Sequence, residues 1–337
     1  MPEHPSPYPD SLGHARSRIG DFLRESLHGR ELPGISRGVE YQLETGGKRI
    51  RPTLSLWLGE ALGGDEQRLL PFAAAVELLH NVFLIHDDIE DGDTYRRGAP
   101  TLWAHIGIEE ALNVSDFLLA EAYRLVGSTE SPAAVTVDLF REFSDTFRIT
   151  VEGQALDLAY RANADFTQHL YEQIIVRKTG RYLALGWVGA ARIAGRSAAE
   201  AAAFWDVGRA LGPAFQIRDD VLDLSDGKGR GGEVACDLRE GKPSILVALT
   251  LESAEVTATD KATLVEILQT GRDDTTSSQI DWAVALFESC GAIAEATAEA
   301  HRRAAAGVEI IESIDYLPSE AVETFRAIAR YLVDREV

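Results

Sequence analysis

With 337 residues the chain can bury a sizeable core, as one domain or two. Its 45% apolar and 26% charged residues are ordinary for a globular protein, and a net charge of -21 argues against a nucleic-acid surface or a polybasic membrane patch. Two cysteines, Cys236 and Cys290, form neither a disulfide framework nor a metal-ligand spacing, which fits a reducing cytosol. The first ten residues carry four prolines and no apolar stretch of signal-peptide type, so they read as a tail. Beyond them a 3.6-residue apolar period dominates. It predicts helices over 11–27, 35–62, 67–92, 108–126, 132–160, 167–194, 198–224, 243–251, 260–270, 276–306 and 319–334. Turn chemistry separates them at Gly63-Gly64-Asp65, Ser131-Pro132, Gly195-Arg196-Ser197 and Gly271-Arg272-Asp273. No run reaches the ~20 apolar residues that a membrane span needs. Residues 225–242, rich in Gly and charge, are the longest irregular segment and a candidate lid.

Two acidic clusters stand out against this background. Asp87-Asp88-Ile89-Glu90-Asp91 closes one helical stretch, and Asp219-Asp220-Val221-Leu222-Asp223 closes another. Each has carboxylates at i, i+1 and i+4, and positions i and i+4 share a helix face roughly 5–6 Å apart. Acids held so close repel unless cations sit among them, so two such clusters point to divalent ions and a polyanion. Neither has the alternating acids and distal Glu of a calcium loop. His80, Phe83, Leu84, Asp87 and Asp91 share one face of the first helix, and Gln216, Asp219, Asp220 and Asp223 repeat the geometry on the second. Pro213 is expected to kink that second helix one turn earlier. His80 also reads as a capped core histidine, and Phe117, Phe140 and Phe143 read as packing.

Basic residues gather at Lys48-Arg49-Ile50-Arg51, Arg96-Arg97, Arg177-Lys178 and Lys228/Arg230 with Lys242. Arg grips oxyanions bidentately and Lys offers a point charge, the pairing a phosphate group needs. No Walker or Rossmann glycine pattern precedes a strand, which argues against a nucleotide.

Taken in order, these segments resemble the trans-isoprenyl diphosphate synthase (polyprenyl synthetase) family over nearly the whole chain, about 39–333. The resemblance rests on Gly47-Lys48-Arg49-Ile50-Arg51-Pro52, the Asp-Asp-x-x-Asp motif at 87–91, Arg96-Arg97-Gly98-Ala99-Pro100-Thr101 and Gly153-Gln154-Ala155-Leu156-Asp157-Leu158. It continues through Lys178-Thr179-Gly180, the second Asp motif from Phe215 to Asp223, and Asp237-Leu238-Arg239-Glu240-Gly241-Lys242-Pro243. It implies an all-α fold, a single helical bundle around a deep central cavity. Residues 1–34 would be a tail and first helix, and 35–337 the catalytic domain. It implies a cytoplasmic homodimer that condenses an allylic diphosphate with isopentenyl diphosphate, using two to three Mg²⁺ ions per site. By motif match Asp87, Asp91 and Asp219 would ligate Mg²⁺, with Asp88, Asp220 and Asp223 behind them or as further ligands. Arg96, Lys178 and Gln216, with Lys242, would hold the allylic diphosphate. Lys48, Arg51, His80 and Arg97 would hold isopentenyl diphosphate, and Thr179 would face the carbocation.

Two departures stand out: Gly232 sits where relatives carry a Lys, and the C-terminus lacks a basic ending. Val82 and Phe83 lie about 6–7.5 Å down the helix from Asp87 and would set product length. A mixed Val-Phe pair predicts C20 geranylgeranyl diphosphate ahead of C15 farnesyl. A class I terpene cyclase is a second reading, though it has no use for Lys48, Arg51 and His80. A non-catalytic partner subunit is a third, though such subunits tend to lose the Asp motifs.

Overall fold

The computed structural model describes residues 10–27, 32–45, 47–225 and 234–335. Among the described residues the regular elements are helices, apart from one two-stranded hairpin. In chain order the elements begin with α1 (Asp10–Leu27), α2 (Ile35–Glu44), α3 (Ile50–Ala61) and α4 (Glu66–Glu90). The hairpin follows as β1 (Tyr95–Arg96) and β2 (Ala99–Pro100), then α5 (Leu102–Ile106), α6 (Ile108–Gly127), α7 (Ala133–Ala159) and α8 (Gln168–Ile175). A single π-turn, Val176–Gly180, leads into α9 (Arg181–Ile193) and α10 (Ala198–Leu222). The remainder is α11 (Cys236–Arg239), α12 (Ile245–Glu252), α13 (Ala258–Gln269), α14 (Ser277–Ser289), α15 (Ala292–Glu312) and α16 (Ser319–Asp334). The expected all-α class is therefore found.

The chain divides into two compact units. The first comprises Met1–Phe147, Leu183–Trp205 and Ile311–Ile328, as far as these are described. Its centre is α4, whose run from Phe72 to Leu79 is buried on all sides, as expected of a helix apolar around its circumference. Asp65 caps α4, accepting from the Gln67 N–H at 2.9 Å. Gly59 lets α3 approach closely: a Cβ there would lie 2.3 Å from Leu69. α1 buries Leu12, Ala15, Ile19 and Leu23, and Arg18 ties it to Glu60 and Glu66 at 2.6 and 2.8 Å. Phe325 packs against Trp57, Trp187 and Phe204, with ring centroids 5.3–6.2 Å apart.

The second unit comprises Arg148–Tyr182, Asp206–Ile310 and Ala329–Val337. Here glycines decide how closely backbones pass. A Cβ on Gly212 of α10 would fall 2.4 Å from Gly180 Cα, and one on Gly153 of α7 would fall 2.6 Å from Lys178 N. The π-turn is thus pinned between α7 and α10 by backbone contact, the setting in which single π-turns mark functional positions.

Several expectations need correction. The predicted helix over 35–62 is two helices, because Arg49 adopts a left-handed conformation (φ 46°) directly before α3. Pro52 falls in the first turn of α3, where no N–H is required. The 167–194 stretch is interrupted by the π-turn, and 276–306 breaks at Gly291 (φ 77°). The hairpin was not anticipated. It turns on Arg97 (φ 55°) and Gly98 (φ 78°), the two positive-φ positions a tight hairpin favours. Pro213 does lie inside α10, one turn before Gln216. By length and composition α4 could cross a membrane, contrary to the sequence expectation, but 72% of its apolar window is buried in the fold.

Candidate active site

The last turn of α4 divides its acids by depth. Asp88 is buried (3% exposed), whereas Asp87 and Asp91 remain half-exposed. This follows from helix geometry: i and i+4 share a face, and i+1 turns about 100° away from it. Asp88 accepts from Arg96 Nε at 2.5 Å, and Arg96 also reaches Asp93 at 3.4 Å. Burial pushes the Asp88 carboxyl up to about 6, against the pull of Arg96. Trp103 Nε1 donates to the carbonyls of Asp88 and Asp93 at 2.9 and 2.8 Å, and Thr101 Oγ1 donates to the Asp93 carbonyl at 2.7 Å. The hairpin is therefore sewn to the helix end, and Arg96 is fixed there.

Further down α4 the charges reverse. Burial, together with the positive charges of Arg51, Arg97 and Arg96, holds His80 well below its usual range, so the imidazole is neutral. Glu77, one turn earlier and 6% exposed, is pushed up to about 7 by burial while Arg49, Arg97 and Arg51 pull it down. Arg97 lies against Gly47, where a Cβ would come within 2.5 Å of its guanidinium. Of the four residues expected at isopentenyl diphosphate, the structure gathers Arg51, His80 and Arg97. Lys48 is exposed on the segment between α2 and α3. Val82 is fully packed (1% exposed), whereas Phe83 is half-buried and stacks on Phe147 with centroids 5.7 Å apart.

In the second unit Asp220 is the inward-facing acid. It accepts from Tyr171 Oη at 2.8 Å, from Gln216 Nε2 at 3.0 Å and from the Ile245 N–H at 3.0 Å. Burial, and then the negative charge of Asp237, pushes its carboxyl up to about 7. Asp223, also buried, accepts from the Asp237 N–H at 2.8 Å. Asp219 is half-exposed and pairs with Arg335 at 3.0 Å. Thr179 Oγ1 donates to Gln216 Oε1 at 3.2 Å, so the hydroxyl is part of the same network. Lys178 contacts Asp157 at 2.6 Å, and Lys242 contacts Glu240 at 2.6 Å and Asp237 at 3.6 Å.

The described part of the supposed lid is thus ordered onto the second acidic motif through α11. Lys228, Arg230 and Gly232 lie outside the described residues. Sequence reasoning missed Glu77, Asp93, Trp103, Tyr171 and Arg335. Glu77 left one signal, a charged group inside the apolar run of α4.

Divalent ions fit what remains on offer. Among the described residues no three acid, histidine or cysteine side chains converge on one metal position. Two half-exposed carboxylates at i and i+4 are nonetheless the partial oxygen set with which Mg²⁺ is held when substrate phosphates supply the rest. Asp88, between them in the sequence, is buried and held by Arg96.

Comparison with known proteins places this geometry in a class. Residues 33–287 match the polyprenyl synthetase family model. The chain is 36% identical over 331 residues to a short chain isoprenyl diphosphate synthase of Methanothermobacter thermautotrophicus, covering 97% of this chain and 98% of that one. A geranylgeranyl pyrophosphate synthase of Geoglobus acetivorans is 30% identical over 322 residues, covering 94% and 96% of the two chains. Among solved structures, geranylgeranyl pyrophosphate synthetase from Pyrococcus horikoshii superposes with a TM-score of 0.87 at 30% identity, covering 97% of this chain and 99% of that one. The chain belongs to the polyprenyl synthetase family, and it is a prenyltransferase.

Proposed function

We propose that this prenyltransferase joins an allylic diphosphate to isopentenyl diphosphate, head to tail and trans, to give C20 geranylgeranyl diphosphate. The observation that carries the reading is the division of charge along α4. Arginines gather around neutral His80, and seven residues later, about 10 Å along the helix, the half-exposed pair Asp87 and Asp91 begins. One element thus offers an anion site and a cation site at a separation that suits two diphosphate substrates.

In this reading Arg51, His80 and Arg97, with Lys48, bind the diphosphate of isopentenyl diphosphate, His80 as a neutral donor. Asp87, Asp91 and Asp219 hold two to three Mg²⁺ ions. Arg96, Lys178, Gln216 and Lys242 orient the allylic diphosphate. When bound, the divalent ions supply Lewis acidity to the departing diphosphate. Fixed donors around that leaving group stabilise the charge it acquires as the C–O bond breaks. Thr179, with its hydroxyl engaged by Gln216, turns its oxygen toward the allylic cation. The alkene of the second substrate then attacks, and the released diphosphate accepts the proton, so no side-chain nucleophile is required. Phe83 and Phe147 close the floor that stops growth at C20. Residues 35–337 form the catalytic part and 1–34 an N-terminal extension. The enzyme acts as a cytoplasmic homodimer, in keeping with free thiols at Cys236 and Cys290.

The test is incubation with Mg²⁺, isopentenyl diphosphate and allylic primers of five, ten and fifteen carbons, with mass analysis of the diphosphates formed. C20 product that depends on isopentenyl diphosphate is expected. Hydrocarbon released from an allylic diphosphate alone would mean cyclase chemistry, and growth halting at C15 would overturn the product length.

A further inference from the structure

The C-terminal end of the described chain bears directly on Asp219. Arg335, the residue after α16, lies with its guanidinium 4.0 Å over the Phe215 ring and 3.0 Å from Asp219 Oδ1. Its own carbonyl accepts two hydrogen bonds from Arg218, at 3.0 and 2.7 Å. Phe215, Arg218 and Asp219 stand at i, i+3 and i+4 on α10, so one helix face seats the residue at three points. The Arg335 side chain is only 9% exposed, against 32% for Asp219. Aromatic face, carboxylate and carbonyl anchor together make a built seat for a cation.

We propose that Arg335 is a built-in placeholder cation: it occupies Asp219 while no divalent ion is bound and has to leave for the ion to bind. Arg335 thereby sets how much metal the enzyme needs. A divalent ion on Asp219 would sit about 2.0–2.1 Å from a carboxylate oxygen. A guanidinium already 3.0 Å from Oδ1 would then face it at close range, cation against cation, in a site partly withdrawn from water. Arginine does not lose its proton in proteins, so a change of pH cannot relieve the conflict and only movement can. The guanidinium can swing off Asp219 by changing side-chain rotamers while Arg218 keeps hold of the Arg335 carbonyl. The proposal rests on the reading of Asp219 as a metal ligand, and its test separates the two.

The experiment follows thermal unfolding of the full chain against Mn²⁺ at a fixed concentration of inorganic pyrophosphate, each variant referred to its own metal-free melting temperature. Arg335→Gln is expected to lower the Mn²⁺ midpoint about two- to fivefold, the worth of a partly exposed ion pair. Phe215→Leu, which weakens the aromatic seat and leaves both charges, should shift the midpoint the same way by less. In an Asp219→Asn background the effect of Arg335→Gln should vanish. An unchanged midpoint in Arg335→Gln overturns the proposal. A raised midpoint overturns it too, and identifies Arg335 as an aid to diphosphate binding. If Asp219→Asn leaves the midpoint where it was, or the wild-type protein shows no manganese-dependent shift, the metal reading of Asp219 fails first.

Discussion

Gly212→Ala tests whether the π-turn is held by backbone contact. A Cβ at position 212 would lie 2.4 Å from Gly180 Cα, 2.8 Å from Gly180 N and 3.2 Å from Thr179 C. All three are backbone atoms, so no rotamer change relieves the clash. Carbon–carbon contacts are comfortable at about 3.5–4.0 Å, so the π-turn and α10 have to part by roughly 1 Å or more. Overpacking of this kind costs about 1–3 kcal/mol. Replacing a glycine inside a helix with alanine returns up to about 1 kcal/mol. The balance is a net loss of up to about 2 kcal/mol, a melting temperature lower by up to a few degrees. The effect on turnover should be larger. Thr179 and Lys178 ride on the displaced turn, the 3.2 Å bond from Thr179 to Gln216 breaks, and misplacement by about 1 Å can cost about a hundredfold in rate. Gly13→Ala is the control: it is an exposed helical position with nothing within 4 Å of the added carbon, so only the propensity gain remains and stability should rise by about 0.5–1 kcal/mol. Thermal melts and steady-state kinetics on both variants decide the matter. Equal stability and activity in Gly212→Ala and wild type would refute the argument from close approach.

Phe83→Ala should lengthen the product, since it removes the ring stacked on Phe147; an unaltered product distribution by mass spectrometry would remove Phe83 from the floor. Glu77 has a pKa raised from 4.5 to about 7, so between those values the folded state holds a proton that the unfolded state has lost, and this group's contribution to stability falls as pH rises. Glu77→Gln should therefore gain on wild type by up to about 3 kcal/mol from pH 4.5 to 7 in urea denaturation; parallel pH profiles would refute the assignment. Lys178 and Asp157, 2.6 Å apart with side chains 23% and 9% exposed, should be coupled. Lys178→Met and Asp157→Asn together should cost about 1–2 kcal/mol less than the sum of the single variants, because each single change strands the other partner. Additive costs would mean the pair is not a stabilising unit.

What the sequence made legible were features that live on one helix. The i, i+4 spacing of Asp87 and Asp91 and the apolar stripe beneath them depend only on helical period, and both hold. Features that depend on segments meeting across long separations were not legible. The π-turn exists where Gly153, Gly180 and Gly212 let three backbones approach, and nothing local to Lys178 announces it. The break before α3 was masked by apolar residues on both sides, although Gly46-Gly47 stood in the gap. Arg335 was dismissed with a C-terminus judged insufficiently basic, because its meaning comes from Asp219, 116 residues earlier.

The unequal burial of the acids is what turns two sequence motifs into chemistry. In each motif the carboxylate at i+1 is buried and held by neighbours: Asp88 by Arg96, and Asp220 by Tyr171, Gln216 and the Ile245 N–H. In each, the carboxylate at i stays half-exposed. A buried acid with a raised pKa is a poor ligand on its own, because charging it costs desolvation. Once the half-exposed acids carry divalent ions, the same buried groups see added positive charge, and their ionised forms become the favoured ones. The inner acids would then serve as counter-charge to the ions, with their fixed donors holding the helix ends in place. On the proposed function, clusters that look redundant in the sequence would divide into ligands and supports, and exchanging the two roles by substitution should not be symmetrical: Asp87→Asn should chiefly raise the metal requirement, and Asp88→Asn should chiefly loosen Arg96.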